Sequence, residues 1–332
     1  MTGADRADIA AQIARRSPVD ERERVSIERF LAELDRLDEP FSEHADTTHV
    51  TASAVVVGVR GVVLHKHKRL GMWLQPGGHI DPGEAPWDAA IREVGEETGL
   101  PVTHAAGPAH PVLVHVDVHP GPRGHTHLDL RYLAVADDVD PAPADGESPD
   151  VRWFAWDRAI EQTDDGLAGI LRALAPSDPR TVVVRRAVAS DAAAVAELYL
   201  RSRRHALAAV VSPHDDDDVR EWVVSQLVPR METWVAVLAG VPVGVLTLSA
   251  AAGGPRLMID QLYVDPPWIG RGIGAALVGH AKRRSPAGLE LWTFQVNVSA
   301  RRFYARHGFV EVESTDGAAN EEREPDVRCR WG

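Results

Sequence analysis

The stretch APSDPRT at residues 175–181 constrains this chain more than any other, because two prolines and no apolar period interrupt an otherwise steady alternation of strand-like and helix-like segments. A continuous core is not expected to run through it. With 332 residues and roughly 150 residues per domain, two globular domains are expected. Before the break, TASAVVVGV, VVLH, LGMWLQ, VLVHVDVH, HLDLRYLAVA and VRWFAW read as strands, with helices over 85–98 and 164–174. After it the pattern restarts: a strand VVVRRA, a helix 190–201 capped by Ser190 or Asp191, a helix 219–227, two strands meeting at Gly240, then RLMIDQLYV, a glycine-rich turn into a helix, LELWTFQV and a helix 299–307. The expected division is a helical extension at 1–45, a domain at 46–176, a linker at 177–181 and a domain at 182–332, with no internal repeat. The extension breaks at Ser17-Pro18 into two short helices.

Charge and composition narrow the function classes. A formal net charge of −13 argues against a broad nucleic-acid surface, though it permits a local pocket for one small anion. The single cysteine, Cys329, excludes an internal disulfide and a four-cysteine zinc site and suits a reducing compartment. The first residues lack the apolar stretch of a signal peptide and no run of 18 apolar residues occurs, so a cytoplasmic protein without membrane partners is expected.

Within Gly78–Leu100, GHIDPGEAPWDAAIREVGEETGL, Glu93, Glu96 and Glu97 stand at i, i+3 and i+4 and so share one helical face. Like charges at that spacing repel unless a hard divalent cation sits among them; Mg²⁺ takes oxygen ligands and a substrate phosphate. A solvated acidic face is the alternative for three glutamates alone. The whole stretch decides between them: Gly78, five residues, Glu84, seven residues, Arg92-Glu93-Val94, one residue, Glu96-Glu97, one residue and Gly99-Leu100 match the Nudix box at every specified position.

Residues 45–176 therefore resemble a Nudix hydrolase, which implies an α/β/α sandwich around a mixed sheet. The resemblance further implies that Glu93, Glu96 and Glu97 bind Mg²⁺ or Mn²⁺, that one of them or a nearby carboxylate deprotonates water, and that Arg92 orients Glu93. It implies a carbonyl ligand near Gly77 and a further glutamate from a loop before the last strand. Glu147 is the candidate for that position and Asp129 the second choice. The implied substrate is a nucleoside diphosphate linked to another group, attacked in line by water. Lys66, Lys68 and Arg69 either hold phosphate oxygens or merely solubilise a turn. His110, His115, His119, His125 and His127 either line the substrate pocket, bind a metal, or are exposed hairpin residues, the last being preferred. Residues 1–45 are read as a cap on this domain or a homodimer contact.

In the second half, LYVDPPWIGRGIGAAL breaks a strand at Asp265-Pro266-Pro267 and leads through Gly270, Gly272 and Gly274 into a helix, where free amides and the helix dipole converge on an anion site. Glycines at a helix start also serve close packing. The sequel LELWTFQVNVSARRFYARHGF adds a strand, Asn297, a helix with Phe303-Tyr304, and Gly308-Phe309. Together, residues 181–332 resemble the GNAT family of N-acetyltransferases, a mixed-sheet α/β fold. This resemblance implies that the segment Ile269, Gly270, Arg271, Gly272, Ile273 and Gly274 holds the pyrophosphate of acetyl-CoA or another acyl-CoA. It implies that the strands bearing Leu262 and Val264 and residues 289–296 splay to admit pantetheine, with Asn297 beside it, and that Tyr304 protonates the departing thiolate. Ile269 departs from the family's usual Gln or Arg. Asp260, Glu321 and Glu322 are the candidates for the base that activates the acceptor amine. The run Asp215–Asp218 either attracts a cationic amine or caps a helix, the latter being preferred.

The combined expectation is a bifunctional Nudix hydrolase and GNAT acyltransferase. In the rival reading one domain only binds: a nucleotide sensor regulating the transferase, or a CoA binder without catalysis.

Overall fold

A computed structural model describes residues 6–175, 178, 181–252 and 254–332. Of the expected linker, residues 177, 179 and 180 lie outside the described residues. The chain falls into two compact units that part after Ala175.

The first unit comprises helices α1 (Arg6–Ala14), α2 (Glu21–Arg36), α3 (Pro86–Thr98), α4 (Trp156–Gln162) and α5 (Asp165–Leu174). Its sheet is built from β1 (Thr48–Gly58), β2 (Gly61–Lys66), β3 (Trp73–Leu74), β4 (Gly77–His79), β5 (Val102–His104), β6 (Leu113–Pro120), β7 (Thr126–Ala136) and β8 (Val151–Phe154). The spine is the parallel pair β1 and β7, in register from Thr48 opposite Thr126 to Val57 opposite Val135; β2 and β4 pair with β1, and β5 and β6 with β7, all antiparallel. Alternation along the strands sorts two faces. Val50, Ala52, Ala54 and Val56 join Leu128, Leu130 and Tyr132 in a core shared with Ile9, Phe30 and Leu34 of α1 and α2 and with Ala89, Ala90 and Val94 of α3. The opposite side carries His49, Thr51 and Ser53, aligned with His127, Asp129 and Arg131 and with His115, Asp117 and His119 on β6.

That polar side runs against the sequence reading of the hairpin histidines as exposed. His115 is fully buried, with Nδ1 hydrogen-bonded to the Arg131 guanidinium at 3.3 Å, and His119 and His127 are only partly exposed; His110 is exposed. Each alternate residue of β6 and β7 points to the side where Asp117 and Asp129 bind the fully buried Arg131 at 3.0 Å each. Asp117 also takes Arg22 from α2 at 3.1 Å. Burial alone would push the Asp117 carboxyl up, but His119, Arg131 and Arg22 hold it far below the usual carboxylate range. The extension is part of this core: buried Glu23 on α2 accepts the amide of Val116 on β6 at 3.1 Å.

The second unit orders its strands β14-β15-β13-β12-β11-β10-β9: β9 (Val183–Arg186), β10 (Glu232–Leu238), β11 (Val241–Ala250), β12 (Leu257–Val264), β13 (Leu289–Phe294), β14 (Val310–Ser314) and β15 (Asp326–Trp331), with helices α6 (Ala192–Ala206), α7 (Asp216–Trp222), α8 (Val228–Arg230), α9 (Ile273–Arg284) and α10 (Val298–Arg306). The architecture is mixed α/β in both units, as the sequence led us to expect. Details differ. Asp191 occupies the N-cap position of α6 without a side-chain cap bond; its carboxylate turns back to the Val188 amide and the Arg185 guanidinium at 2.7–2.9 Å. α7 starts at Asp216, because Asp215 accepts the amides of Asp217 and Asp218 at 2.9 Å, and residues 223–227 form a π turn ahead of Pro229. α4, β14 and β15 have no counterpart in the sequence reading. Seven residues are too few to show a helical period, and the strand VEVES is exposed throughout.

Candidate active sites

In the first unit, α3 presents the carboxylate face. Pro86 at its first turn supplies a fixed φ where no amide hydrogen is needed, and Gly99, at φ 66°, closes it in the left-handed conformation. β4 lies alongside, and its glycines matter to the site. A β-carbon on Gly78 would meet the Glu93 carboxylate at 2.5 Å, so only glycine lets that side chain lie against the strand. The Gly77 amide donates to Glu97 Oε2 at 2.9 Å; this amide, rather than the expected carbonyl, makes the observed contact between Gly77 and the cluster.

Arg92 is gripped by Glu84 in a two-pronged pair (3.0 and 2.9 Å), donates to the His79 carbonyl at 2.9 Å, and reaches Glu93 at 2.8 Å and Glu96 at 3.4 Å. It thus fixes Glu93 relative to β4. Glu93 and Glu97 are largely buried, whereas Glu96 is exposed. Burial raises the Glu93 carboxyl against the opposing pull of Arg92. Glu97 is pushed up to about 8, by burial first and then by Glu93, Glu147 and Glu96, against the Gly77 amide. The loop bearing Glu147 is therefore close enough for its charge to be felt at Glu97. Asp129 is instead committed to Thr51, Ser53, Gln75 and Arg131 in the buried network. Lys68 donates to the Gly146 carbonyl beside Glu147.

Sequence reasoning missed His65. It lies buried on β2 with Nδ1 3.5 Å from Glu97 Oε1, and burial lowers it to about 4, so it faces the carboxylate as a neutral imidazole. No spacing within VVLHK signals this, because β2 and α3 meet only through the sheet.

In the second unit, β12 and β13 run parallel for three residue pairs, Leu257 opposite Leu289 through Ile259 opposite Leu291, and their pairing stops there although both strands continue. Beyond the divergence lies a cavity of about 720 Å³ reached by Leu262, Asn297 and Tyr304; Val264 and the turn 269–274 are outside its lining. Asn297 caps α10, accepting the Ala300 amide at 3.1 Å. Tyr304 is buried between Phe303 and Phe309, and burial, with Cys329 adding to it, raises its hydroxyl above the ordinary value. At the turn, Gly270 and Gly272 take φ of 84° and 80°, while a β-carbon on Gly274 would meet the Phe303 ring at 3.0 Å. Ile269 is exposed, and its amide bonds the Pro266 carbonyl at 3.2 Å. The first amides of α9, Ile273 and Gly274, are those that a helix start leaves without an internal acceptor.

Asp260 lines the same cavity. The register of β11 and β12 slips between Thr247 and Leu248, opposite Gln261 and Ile259, so Asp260 is the extra residue of a β-bulge. Its Oδ1 accepts from Ser249 at 2.8 Å, its Oδ2 is buried without a partner, and burial raises its carboxyl. Glu321, Glu322, Asp218 and Asp326 also reach the cavity, with Arg203 held by Glu322 at 2.8 Å.

Comparison with known proteins finds a family for each unit. The NUDIX domain model matches residues 47–174 and the acetyltransferase (GNAT) family model matches residues 192–309. The chain therefore carries a NUDIX domain followed by a GNAT acetyltransferase domain. An uncharacterized N-acetyltransferase of Methanocaldococcus jannaschii is 43% identical over 63 residues, 18% of this chain and 28% of that protein. A peptidyl-lysine N-acetyltransferase, YjaB of Salmonella typhimurium, is 37% identical over 90 residues, 27% of this chain and 57% of that protein. The asymmetrical bis(5'-nucleosyl)-tetraphosphatase of Caenorhabditis elegans is 29% identical over 103 residues, 30% of this chain and 70% of that protein. The chain thus spans 28% and 57% of the length of the first two of these relatives. Among the described residues no helix is long and apolar enough to cross a membrane.

Proposed function

We propose that the chain is a bifunctional enzyme: a divalent-metal-dependent hydrolase of nucleoside diphosphates linked to another group, joined to an acyl-CoA-dependent N-acyltransferase. The observation that carries the first activity is Glu97, a buried carboxylate raised to about 8 with Glu93, Glu96 and Glu147 around it. The negative charges of Glu93, Glu147 and Glu96 add to burial in disfavouring an ionised Glu97, a cost that a cation offsets, and an all-oxygen donor set suits Mg²⁺ or Mn²⁺. Glu93, Glu96 and Glu97, with Glu147 and the Gly77 backbone, would hold it, and a bound ion supplies positive charge to the phosphate oxygens. Arg92 and Glu84 keep Glu93 against β4. Whichever carboxylate stays free of the ion accepts the proton of the attacking water. An intact acidic set favours turnover over a purely sensing role.

In the transferase, the diverging strands admit the pantetheine arm, and within the turn from Ile269 to Gly274, where the Ile269 and Arg271 amides bond the Pro266 and Trp268 carbonyls, the Ile273 and Gly274 amides at the start of α9 are offered to its pyrophosphate. Asp260, raised by burial and with one oxygen unpartnered, takes the proton of the acceptor amine. Tyr304, kept protonated by burial, gives one to the departing sulfur. The carboxylates of Asp218, Glu321 and Asp326 around the cavity favour a cationic primary amine, in keeping with the peptidyl-lysine acceptor in the name of the Salmonella relative. A screen of nucleoside diphosphate derivatives for Mg²⁺-dependent phosphate release tests the first activity, and free-thiol release from acetyl-CoA with a panel of amines the second. No release above background with any substrate in either screen would refute the corresponding half.

A further inference from the structure

We propose that His49, His79 and His127 form a second metal site, built from a different donor set than the carboxylate cluster, which takes a borderline transition-metal dication such as Zn²⁺. One nitrogen from each of the three lies within 4.8 Å of the others. The register puts them there: His49 stands directly opposite His127 on the parallel strands β1 and β7, and His79 on β4 stands opposite Thr51, one side-chain repeat further along the same face.

The tautomers favour ligation. His49 Nδ1 lies 3.3 Å from the Asp46 carbonyl, which can only accept, so Nδ1 carries the hydrogen and Nε2 presents a lone pair. That Nε2 is buried, on a residue with no exposed surface, and has no hydrogen-bond partner. His79 Nδ1 faces the Glu43 carboxylate at 3.4 Å, which likewise turns its other nitrogen into the ligand. A backbone carbonyl and a carboxylate behind ligating imidazoles are the usual outer support of such sites. Gly121 leaves room for the His127 ring, since a β-carbon there would meet its Nε2 at 2.4 Å.

Three imidazoles suit Zn²⁺, Co²⁺, Ni²⁺ or Cu²⁺ and not Mg²⁺, which prefers oxygen. Zn–N bonds of about 2.05 Å place tetrahedral nitrogens about 3.4 Å apart, so nitrogens that now lie within 4.8 Å of one another would draw in by at most about 1.4 Å. The half-exposed His79 has the freedom to do so. The fourth position falls to water or to His125, whose ring centroid lies 5.2 Å from that of His49. Such an ion would tie β4 to the β1 and β7 spine. β4 carries Gly77 and the His79 carbonyl that holds Arg92, so the ion would brace the hydrolase site from behind.

The test uses the full chain stripped with a chelator and titrated with Co²⁺ alone, read by visible absorption. Four-coordinate Co²⁺ on imidazoles absorbs strongly, whereas six-coordinate Co²⁺ on carboxylates absorbs weakly. One equivalent of strong absorption is expected, retained when Glu93, Glu96 and Glu97 are all changed to Gln. It should weaken in apparent affinity by more than about tenfold in His127→Gln and in the more exposed His79→Gln, with unchanged far-ultraviolet circular dichroism. Only weak absorption in the unmodified protein, loss of the strong band in the triple glutamine variant, or full retention in both histidine variants would overturn the proposal.

Discussion

The two candidate sites offer opposite means of meeting the anionic ligand proposed for each. The NUDIX site uses side-chain charge: carboxylates from one helix face, the buried Glu93 and Glu97 beside the exposed Glu96, with Arg92 and the Gly77 amide opposing their repulsion. The GNAT site uses backbone: a turn at positive φ, the open start of α9 and two strands that part after Ile259 and Leu291. A side-chain site should be fragile to single substitutions and responsive to pH. A backbone site should tolerate changes of side chain, with sensitivity confined to the groups that move protons.

The sharpest break of this contrast is Glu97→Gln, which keeps volume and removes charge. Hydrolysis should fall at least about 100-fold at saturating Mg²⁺ while the melting profile is preserved; full turnover would remove Glu97 from the site. Next is Tyr304→Phe, the exception within the backbone site. Its kcat for acyl transfer should fall about 100-fold, while acetyl-CoA binding by calorimetry changes by no more than about 1 kcal/mol. Near-normal transfer would leave Tyr304 as a packing residue between Phe303 and Phe309.

A smaller, graded effect follows from the raised Glu97 carboxyl. Since the ion must displace its proton, Mg²⁺ affinity should climb by up to about tenfold per pH unit and level off above about pH 8, measured by titration calorimetry. Without metal the sign reverses for stability. Between Glu97's ordinary 4.5 and about 8 the folded protein holds a proton that the unfolded chain has released, so metal-free stability should decline with pH across that window and recover when Mg²⁺ is added. A pH-independent Mg²⁺ affinity would mean that Glu97 is not a ligand. The smallest expected change is Ile269→Ala. The residue is exposed and only its backbone serves the turn, so acetyl-CoA affinity should shift by less than about 0.5 kcal/mol. A large loss would show that this turn recognises its ligand through side chains after all.

How far the sequence carried depended on the range of the interactions involved. The α3 face, its Gly99 stop and the glycine turn into α9 each arise within a dozen residues, where spacing dictates geometry, and so they were legible in the residues themselves. His65 against Glu97 was not, because nothing near position 65 refers to α3. Asp260 was legible only as one acid among several; the bulge that aims it into the cavity depends on the pairing of β11 with β12. The hairpin histidines were misjudged for the same reason, since an alternating polar strand looks solvent-facing until another layer covers it.

The sequence by itself therefore determined the two domain types and the local order of their motifs, because helix and strand periodicities place i, i+2, i+3 and i+4 neighbours without outside help. Tertiary structure decided which charges share a cavity, how far Glu97 is raised, and that His49, His79 and His127 meet across three strands. Burial and cross-strand register are properties of elements brought together from distant parts of the chain, and they alone set the desolvation and the distances on which that chemistry depends.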